Sequence, residues 1–487
     1  SPFLCCEGPN PPFFTTFAAA MISLKRYIPY YKDNLRLALP VILSQVGQIT
    51  VQLADTAMVG WYGGDDPTPL AAVSFGTSVF YIIFITAMGL AFGLTPLVGE
   101  HFARGDERRA SHLLLNGIVL FALTGIITSG ILIAVRPLMR WMGTVMIGSG
   151  GDASVSEVIE AALPYYDTLI WGMIPIIIFC TFKQFLEGIG NTRIAMAVII
   201  TCNLINIFLN WVLIFGKFGM EPMGAVGAGI ATFVARCCMC LMIGGYVLFS
   251  PRFRHFIRVF DRAAIRLRTM WEILKVGIPI GFHMFMEASA FVVTNILVLS
   301  FGAYAISAYQ ICTNMMQTTF MIVVAIGSAN TILCSHIFGR GDFHRLRLTV
   351  YSAYHLGLVW CITAAICFVA FRYTIPAFFS SNEQVIRLTG TLLIYISLFQ
   401  IPDCLQTLSI SAMRGLQDVR VIMPIVFVSY VLINIPAGYF FAFQCGFEAK
   451  GLILGLITGL TCCAVLTICR LRRDMASLEK KSGVFRR

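Results

Sequence analysis

The chain has 487 residues, of which 58% are hydrophobic and only 12% charged, with a mean hydropathy of +0.81. That leaves too little polar surface to cover a water-soluble globule, so a lipid-embedded protein is the class that fits. The net charge of +11 does not point to nucleic acid, because the basic residues sit between apolar runs, where they set topology.

Residues 1–20 hold Cys5-Cys6 and a Pro-rich stretch from Pro9 to Pro12, with neither a basic start nor a long apolar core, so they do not read as a signal peptide. Met21, followed by Lys25, Arg26 and Lys32, reads as a natural start, with 1–20 as an extension outside the core. A spanning helix needs roughly 20 mostly apolar residues. Runs of that length are predicted at Leu37 to Val59, Leu70 to Leu97, Leu113 to Val135, Leu163 to Phe185, Ile194 to Phe215 and Ala225 to Phe249. Six more follow at Ile273 to Ser300, Ala305 to Cys334, Val350 to Phe371, Leu388 to Ser411, Val421 to Phe443 and Gly451 to Cys469. The expected architecture is an all-α integral membrane protein of twelve transmembrane helices.

Alternate connections are unequal in charge. One set carries Arg104, Arg108 and Arg109, then Arg193, the dense run Arg252, Arg254, Arg258, Arg262, Arg266 and Arg268, then Arg340, Arg345 and Arg347, and Arg414 with Arg420. Both chain ends share this basic side, and the opposite set includes Gly63-Gly64-Asp65-Asp66. Lys and Arg favour the cytoplasmic side in short loops, so both termini are expected in the cytoplasm of a plasma (inner) membrane.

The basic segment divides the chain into an N-lobe at 21–249, a linker at 250–272, a C-lobe at 273–470 and a basic tail at 471–487. The lobes are related. Phe102-Ala-Arg104-Gly105-Asp106 returns as Phe338-Gly-Arg340-Gly341-Asp342 at an offset of 236, which also pairs Thr95 with Thr331. Gly188, Arg193 and Met196 return as Gly415, Arg420 and Met423 at an offset of 227, which pairs Pro175 with Pro402. Two blocks argue for duplication. Six helices per copy give both copies one orientation, so the twofold axis runs along the membrane normal, with a substrate path between the lobes and alternating access by rocking.

An acid in the hydrocarbon region costs at least about 2.5–3.5 kcal/mol on insertion scales, so intramembrane acids are candidates for function. Asp55, Glu287 and Asp403 qualify, while Asp167 and Glu100 lie closer to helix ends. Pro402 before Asp403 removes a backbone donor and is expected to kink its helix. Asn206 and Asn210 fall four apart on one helix face, with Thr232 on the next helix. With Asp55 these oxygens suit a Na+ pocket or a network around a proton-binding aspartate; interhelical hydrogen-bond glue is the equal alternative. His283, one turn before Glu287, is a possible modulator, though packing is the commoner role for such a residue. Met284, Met286, Met315, Met316 and Met321 with Tyr309 and Phe399 suit either a soft wall around a flat cation or plain packing. The sixteen cysteines lie almost entirely in apolar runs without histidine neighbours, so neither a transition-metal site nor a disulfide framework is expected. No nucleophile or phosphate-loop motif appears, so neither an enzyme nor ATP-driven transport by this chain alone is expected, and no cofactor beyond a coupling Na+ or H+.

At these residues the sequence resembles the multidrug and toxic compound extrusion (MATE) family, in its NorM-type branch. The motifs are Leu39-Pro40 with Asp55-Thr56-Ala-Met58-Val-Gly60; Glu187-Gly188; Asn206-Ile-Phe-Leu-Asn210-Trp211; Gly216-Lys217-Phe218-Gly219; Gly277-Ile-Pro279 with Glu287; Ala308-Tyr309-Gln310 with Asn314; and Arg414-Gly415 with Asp418. The resemblance implies a V-shaped antiporter with a central cavity that expels organic cations and drugs in exchange for Na+ or H+. It carries cation-site roles, with Na+ as one candidate ion in either lobe, to Glu287 and Asp403 of the C-lobe, with Asn314, Tyr309 and Gln310 beside them, and to Asp55, Asn206, Asn210 and Thr232 of the N-lobe. Phe399 stands where some relatives have Tyr, His283 where an apolar residue is usual, and Tyr309 where many have His. A lipid or glycan-lipid flippase of related fold is the alternative, though it would favour a cavity rich in Arg, and here Arg236 is the main intramembrane base. An intramembrane enzyme or receptor is a remote third reading. Membrane lipids are the expected surroundings, nucleic acid is not an expected partner, and a monomer is expected because the path lies within one chain.

Overall fold

A computed structural model describes residues 13–63, 68–148, 153–251, 253, 256, 265–380 and 382–484. The acidic pair Asp65-Asp66 and the linker bases Arg252, Arg254, Arg258 and Arg262 lie outside these residues. Twelve helices among the described residues are long and apolar enough to cross a membrane. They are α1 (Arg26–Gly63), α2 (Thr68–Ala103), α3 (Glu107–Trp141), α4 (Glu157–Gly188), α5 (Thr192–Phe215), α6 (Gly224–Phe249), α7 (Leu267–Phe301), α8 (Tyr304–Arg340), α9 (Phe343–Ala370), α10 (Glu383–Gly415), α11 (Ile422–Gln444) and α12 (Glu448–Lys480). Backbone donors and acceptors must be satisfied inside each span when lipid supplies none, which is why apolar runs of this length become helices.

Within the N-lobe α5 packs on α1 and α6, and α4 on α2 and α3; within the C-lobe α10 packs on α8, α9 and α12. The duplication is visible atom by atom. A Cβ on Gly188 would meet Val98 Cβ at 2.9 Å and the Thr95 carbonyl at 3.0 Å, whereas one on Gly415 would meet Cys334 Cβ at 2.6 Å and the Thr331 carbonyl at 2.7 Å. Both partner positions differ by the 236-residue offset of the first repeat block. The two copies of that block also face each other: Arg104 Nε donates to the Gly339 carbonyl at 3.4 Å, and the Phe102 and His336 rings lie 6.0 Å apart. Equivalent segments that touch must lie beside the twofold axis.

The lobes meet at the end that holds both termini. There α2 crosses α7 so closely that a Cβ on Gly93 would sit 2.6 Å from the Gly277 amide nitrogen. Nearby, Asn34 Nδ2 donates to Ser352 Oγ at 2.6 Å, Tyr31 bonds His355 Nδ1 at 2.8 Å, and Arg109 pairs with Glu272. Toward the other end, α1 exposes Gln48, Gln52 and Thr56, α2 exposes Ser74, Ser78 and Tyr81, and α8 exposes Gln310, Asn314, Gln317 and Thr318. Each set repeats at three- or four-residue spacing, so each is one helix face. Polar stripes facing lipid would be costly, so they line an aqueous cleft between the lobes. The result is a V whose mouth points away from the termini.

Gly93→Val should overpack this crossing by about 1–3 kcal/mol. A lower unfolding temperature together with weaker protection of α2 and α7 from hydrogen exchange is the expected result, because the substitution pries the lobes apart at their contact.

Candidate functional site

In the C-lobe, α7 brings Glu287 to α10 and α11. On α10, Gln400, Asp403 and Gln406 recur every three residues and are all buried, forming one inward polar stripe. Helix α10 continues through Pro402, which withholds its own backbone donor one residue before Asp403. Helix α11 instead departs from α geometry, with a π-helical stretch at Val428–Asn434 that carries buried Ser429, Tyr430 and Asn434. Such wide turns recur at functional sites. Gly459 of α12 makes room for it, since a Cβ there would sit 2.6 Å from Asn434 Cβ.

These elements build a connected polar network. Gln406 Nε2 donates to Tyr430 Oη at 2.8 Å and reaches Glu287 Oε1 at 3.5 Å. His283 Nε2 lies 4.0 Å from Glu287 Oε2, and its Nδ1 accepts from Arg414 Nη2 at 3.1 Å. Since Nδ1 accepts, the imidazole proton of the neutral ring sits on Nε2, which is buried without a hydrogen-bond partner. Asp403 lies three positions before Gln406 on the same buried face of α10. The amide nitrogen and oxygen of Gln400 and Nδ2 of Asn434 are buried without a protein partner. Buried polar atoms of that kind point to a site that takes water, an ion or a ligand.

The N-lobe holds a smaller cluster. Asn210, fully buried, donates from Nδ2 to Asp55 and to Asn206 Oδ1, the latter at 3.1 Å, while its own Oδ1 has no protein partner. Asp55, Asn206 and Asn210 therefore come together as their spacing suggested. Thr232 spends its hydroxyl proton on the Ala228 carbonyl of its own helix at 3.0 Å, leaving only oxygen lone pairs to offer. Arg236 donates to the Leu169 carbonyl at 3.3 Å and lies over the rings of Phe80 at 5.1 Å and Phe84 at 5.7 Å.

Asn314 and Gln310 belong to the exposed stripe of α8 and line the cleft rather than the Glu287 network. Tyr309, Met316 and Phe399 are buried, and Phe399 packs edge-on against Phe291 at 6.4 Å between centroids, which makes them lobe core. Arg414, counted above among loop bases, is drawn into the lobe toward His283. Asp167 pairs with Arg136 at 3.0 Å, while Glu100 is buried against Arg104 and Gln417. No group of three or more His, Cys, Asp or Glu residues that could hold a metal ion occurs among the described residues.

Two lobes related by a twofold axis, with carboxylates inside the membrane spans beside a cleft open at one end, define a polytopic membrane transporter. The MatE family model matches residues 40–212 and 279–440, and the chain belongs to the MatE family. It is similar to the "Probable multidrug resistance protein NorM" of Oceanobacillus iheyensis, 30% identical over 460 residues that cover 93% of this chain and 98% of that one. It is also similar to the "Multidrug resistance protein MdtK" of Edwardsiella ictaluri, 27% identical over 468 residues that cover 95% and 99% of the two chains. Among solved structures, the eukaryotic MATE transporter AtDTX14 shares the fold with a TM-score of 0.80 at 22% identity, covering 93% of this chain and 99% of that one. The chain is thus a multi-pass membrane transporter of the MATE family rather than an enzyme.

Proposed function

We propose that this protein is a secondary antiporter of the plasma membrane that exports small organic cations through the central cleft in exchange for H+ or Na+, with both termini in the cytoplasm. It needs no other cofactor and works as a monomer. The observation that carries this reading is that Glu287 reaches Gln406, which shares the buried polar face of α10 with Asp403, beside a cleft open opposite the basic end. Carboxylates in one lobe attract a cation from the outer side, and an inward-moving ion that occupies them removes that attraction. Competition for the same negative charge couples the two fluxes. Gln400, Asn434 and Tyr430 supply the dipoles that solvate whichever cation is present.

The surroundings of Glu287 do not suit Na+, which leaves a proton as the ion exchanged there. Its nearest amide group, Gln406 Nε2, is a donor, and His283 and Arg414 stand behind it, whereas Na+ requires a shell of oxygen lone pairs. Asp55 with Asn206 and Asn210 offers more oxygens and is the better candidate for Na+. Reconstitution tests the proposal with one fluorescent organic cation, driven separately by a pH gradient and by a sodium gradient. Accumulation should follow the pH gradient and fall sharply in Glu287→Gln; a cation flux indifferent to both gradients would sink antiport.

A further inference from the structure

Between the lobes, at the basic end, lies a cavity of about 380 Å³ lined by Leu97, Glu100 and His101 of α2, Glu272, Lys275 and Val276 of α7, and the turn after α10. It is remote from the acids of the cleft. That volume falls within the range of small-ligand sites.

The charges of this cavity do not cancel locally. Glu100 is taken by Arg104 of its own helix and by Gln417 from the other lobe. Glu272 is taken by Arg109 of α3, with Arg268 Nε a further 3.9 Å contact. His101 Nδ1 lies 3.7 Å from Asp106, so in the protonated ring the Nε2–H is left to donate to another partner. Lys275 and Arg420, which complete the wall, are exposed side chains engaged in no ion pair or side-chain hydrogen bond among the described residues. Both acids of the wall are thus neutralised while two cations are left over, and an imidazole from the opposite lobe faces them.

We propose that this cavity binds a phosphate group through Lys275 and Arg420 of the C-lobe and His101 of the N-lobe. A guanidinium presents a planar fork of donors to phosphate oxygens and an ammonium adds a point charge, so the pair suits a phosphate better than a neutral ligand. Because the two walls belong to different lobes, the cavity exists only while the basic end is closed. A ligand that binds one of two conformations shifts the balance toward it, so phosphate holds the cleft open to the outside and slows the return step. Free phosphate compounds and lipid headgroups carry the same chemistry.

The test uses the full chain in phosphatidylcholine nanodiscs, titrated with inorganic phosphate against chloride at constant ionic strength. The unfolding temperature should rise saturably, by about 2 °C near tenfold excess over the dissociation constant. The shift should disappear in Lys275→Gln/Arg420→Gln and persist in Lys275→Arg. In nanodiscs containing phosphatidylglycerol, a shift already present without added phosphate identifies the headgroup as the source, and an unchanged titration identifies the free anion. No saturable shift in either lipid, or the same shift in the double variant, overturns the site. In proteoliposomes, phosphate on the basic-end side should slow dye flux about threefold in the wild type only; a thermal shift without that slowing overturns the bridging of lobes. This last readout rests on the antiport reading. Absence of dye flux without phosphate would count against antiport, while the thermal titration still decides binding.

Discussion

Glu287→Gln should lower gradient-driven efflux of an organic cation about 5- to 150-fold in proteoliposomes, the range spanned by typical coupling free energies between two ligands. The substitution keeps the volume and the hydrogen-bonding ability of the side chain. Gln406 can still donate to the amide oxygen and His283 can still face it, so the lobe should assemble and the unfolding temperature should stay close to that of the wild type. What goes is the negative charge, and with it the competition between ion and substrate. Asp403→Asn should behave alike, because its carboxylate shares the same polar enclosure. Asp55→Asn addresses the other lobe: if only the C-lobe couples, flux under a pH gradient should survive it within twofold. Flux preserved within twofold in all three variants would remove the acids from the mechanism and leave the transport path without a coupling site.

The architecture was legible because its determinants are coarse. Twelve apolar runs, alternating basic loops and two repeat blocks each report a property averaged over many residues. The site was legible only where a single residue violated that average, as Asp55, Glu287 and Asp403 do. Gln406 escaped because an uncharged amide in an apolar helix is an ordinary contact residue; only its spacing from Asp403, three positions on, could have singled it out. Tyr430 could not be found that way, since it meets Gln406 from a π-helical stretch of α11 that no periodicity announces. Arg414 was misplaced for a different reason. It sits in the last turn of α10, where composition assigns it to the loop, yet its long side chain reaches back to His283. Asn314 and Gln310 carried a family role into the sequence reading, but the helix face they occupy looks into the cleft. Depth along a helix could be read from the sequence; which side of the lobe a face meets required the packing.

The second large effect should come from Gln417, which joins the closed end of the V. Its backbone lies in the left-handed region at φ +61°, a conformation that costs a non-glycine residue about 1 kcal/mol or more. The equivalent position of the N-lobe, 227 residues earlier, is Gly190 at φ +82°, where the same turn costs nothing. The C-lobe keeps a side chain there in spite of the strain, and that side chain donates to buried Glu100 across the lobe boundary. On the opposite side of the axis, His336, which stands 236 residues after Glu100, bonds the Gly188 carbonyl at 2.7 Å. The two bonds form a pseudo-symmetric clasp, each running from the end of one repeated helix to the turn of the other lobe. A hydrogen bond to a charged group contributes about 1.5–3 kcal/mol, so Gln417→Ala, which keeps the strain and loses the bond, should shift the population toward an open basic end about 10- to 100-fold. Gln417→Gly loses the same bond but relieves the turn. It should open the lobes equally while unfolding at a higher temperature than the alanine variant. Hydrogen exchange measured over residues 94–104 and 336–341 would report both effects, since these backbones are covered only while the lobes meet. Unchanged protection in both variants would mean that the glycine crossing of α2 with α7 closes the basic end alone, and that the strain at Gln417 serves the turn and not the clasp.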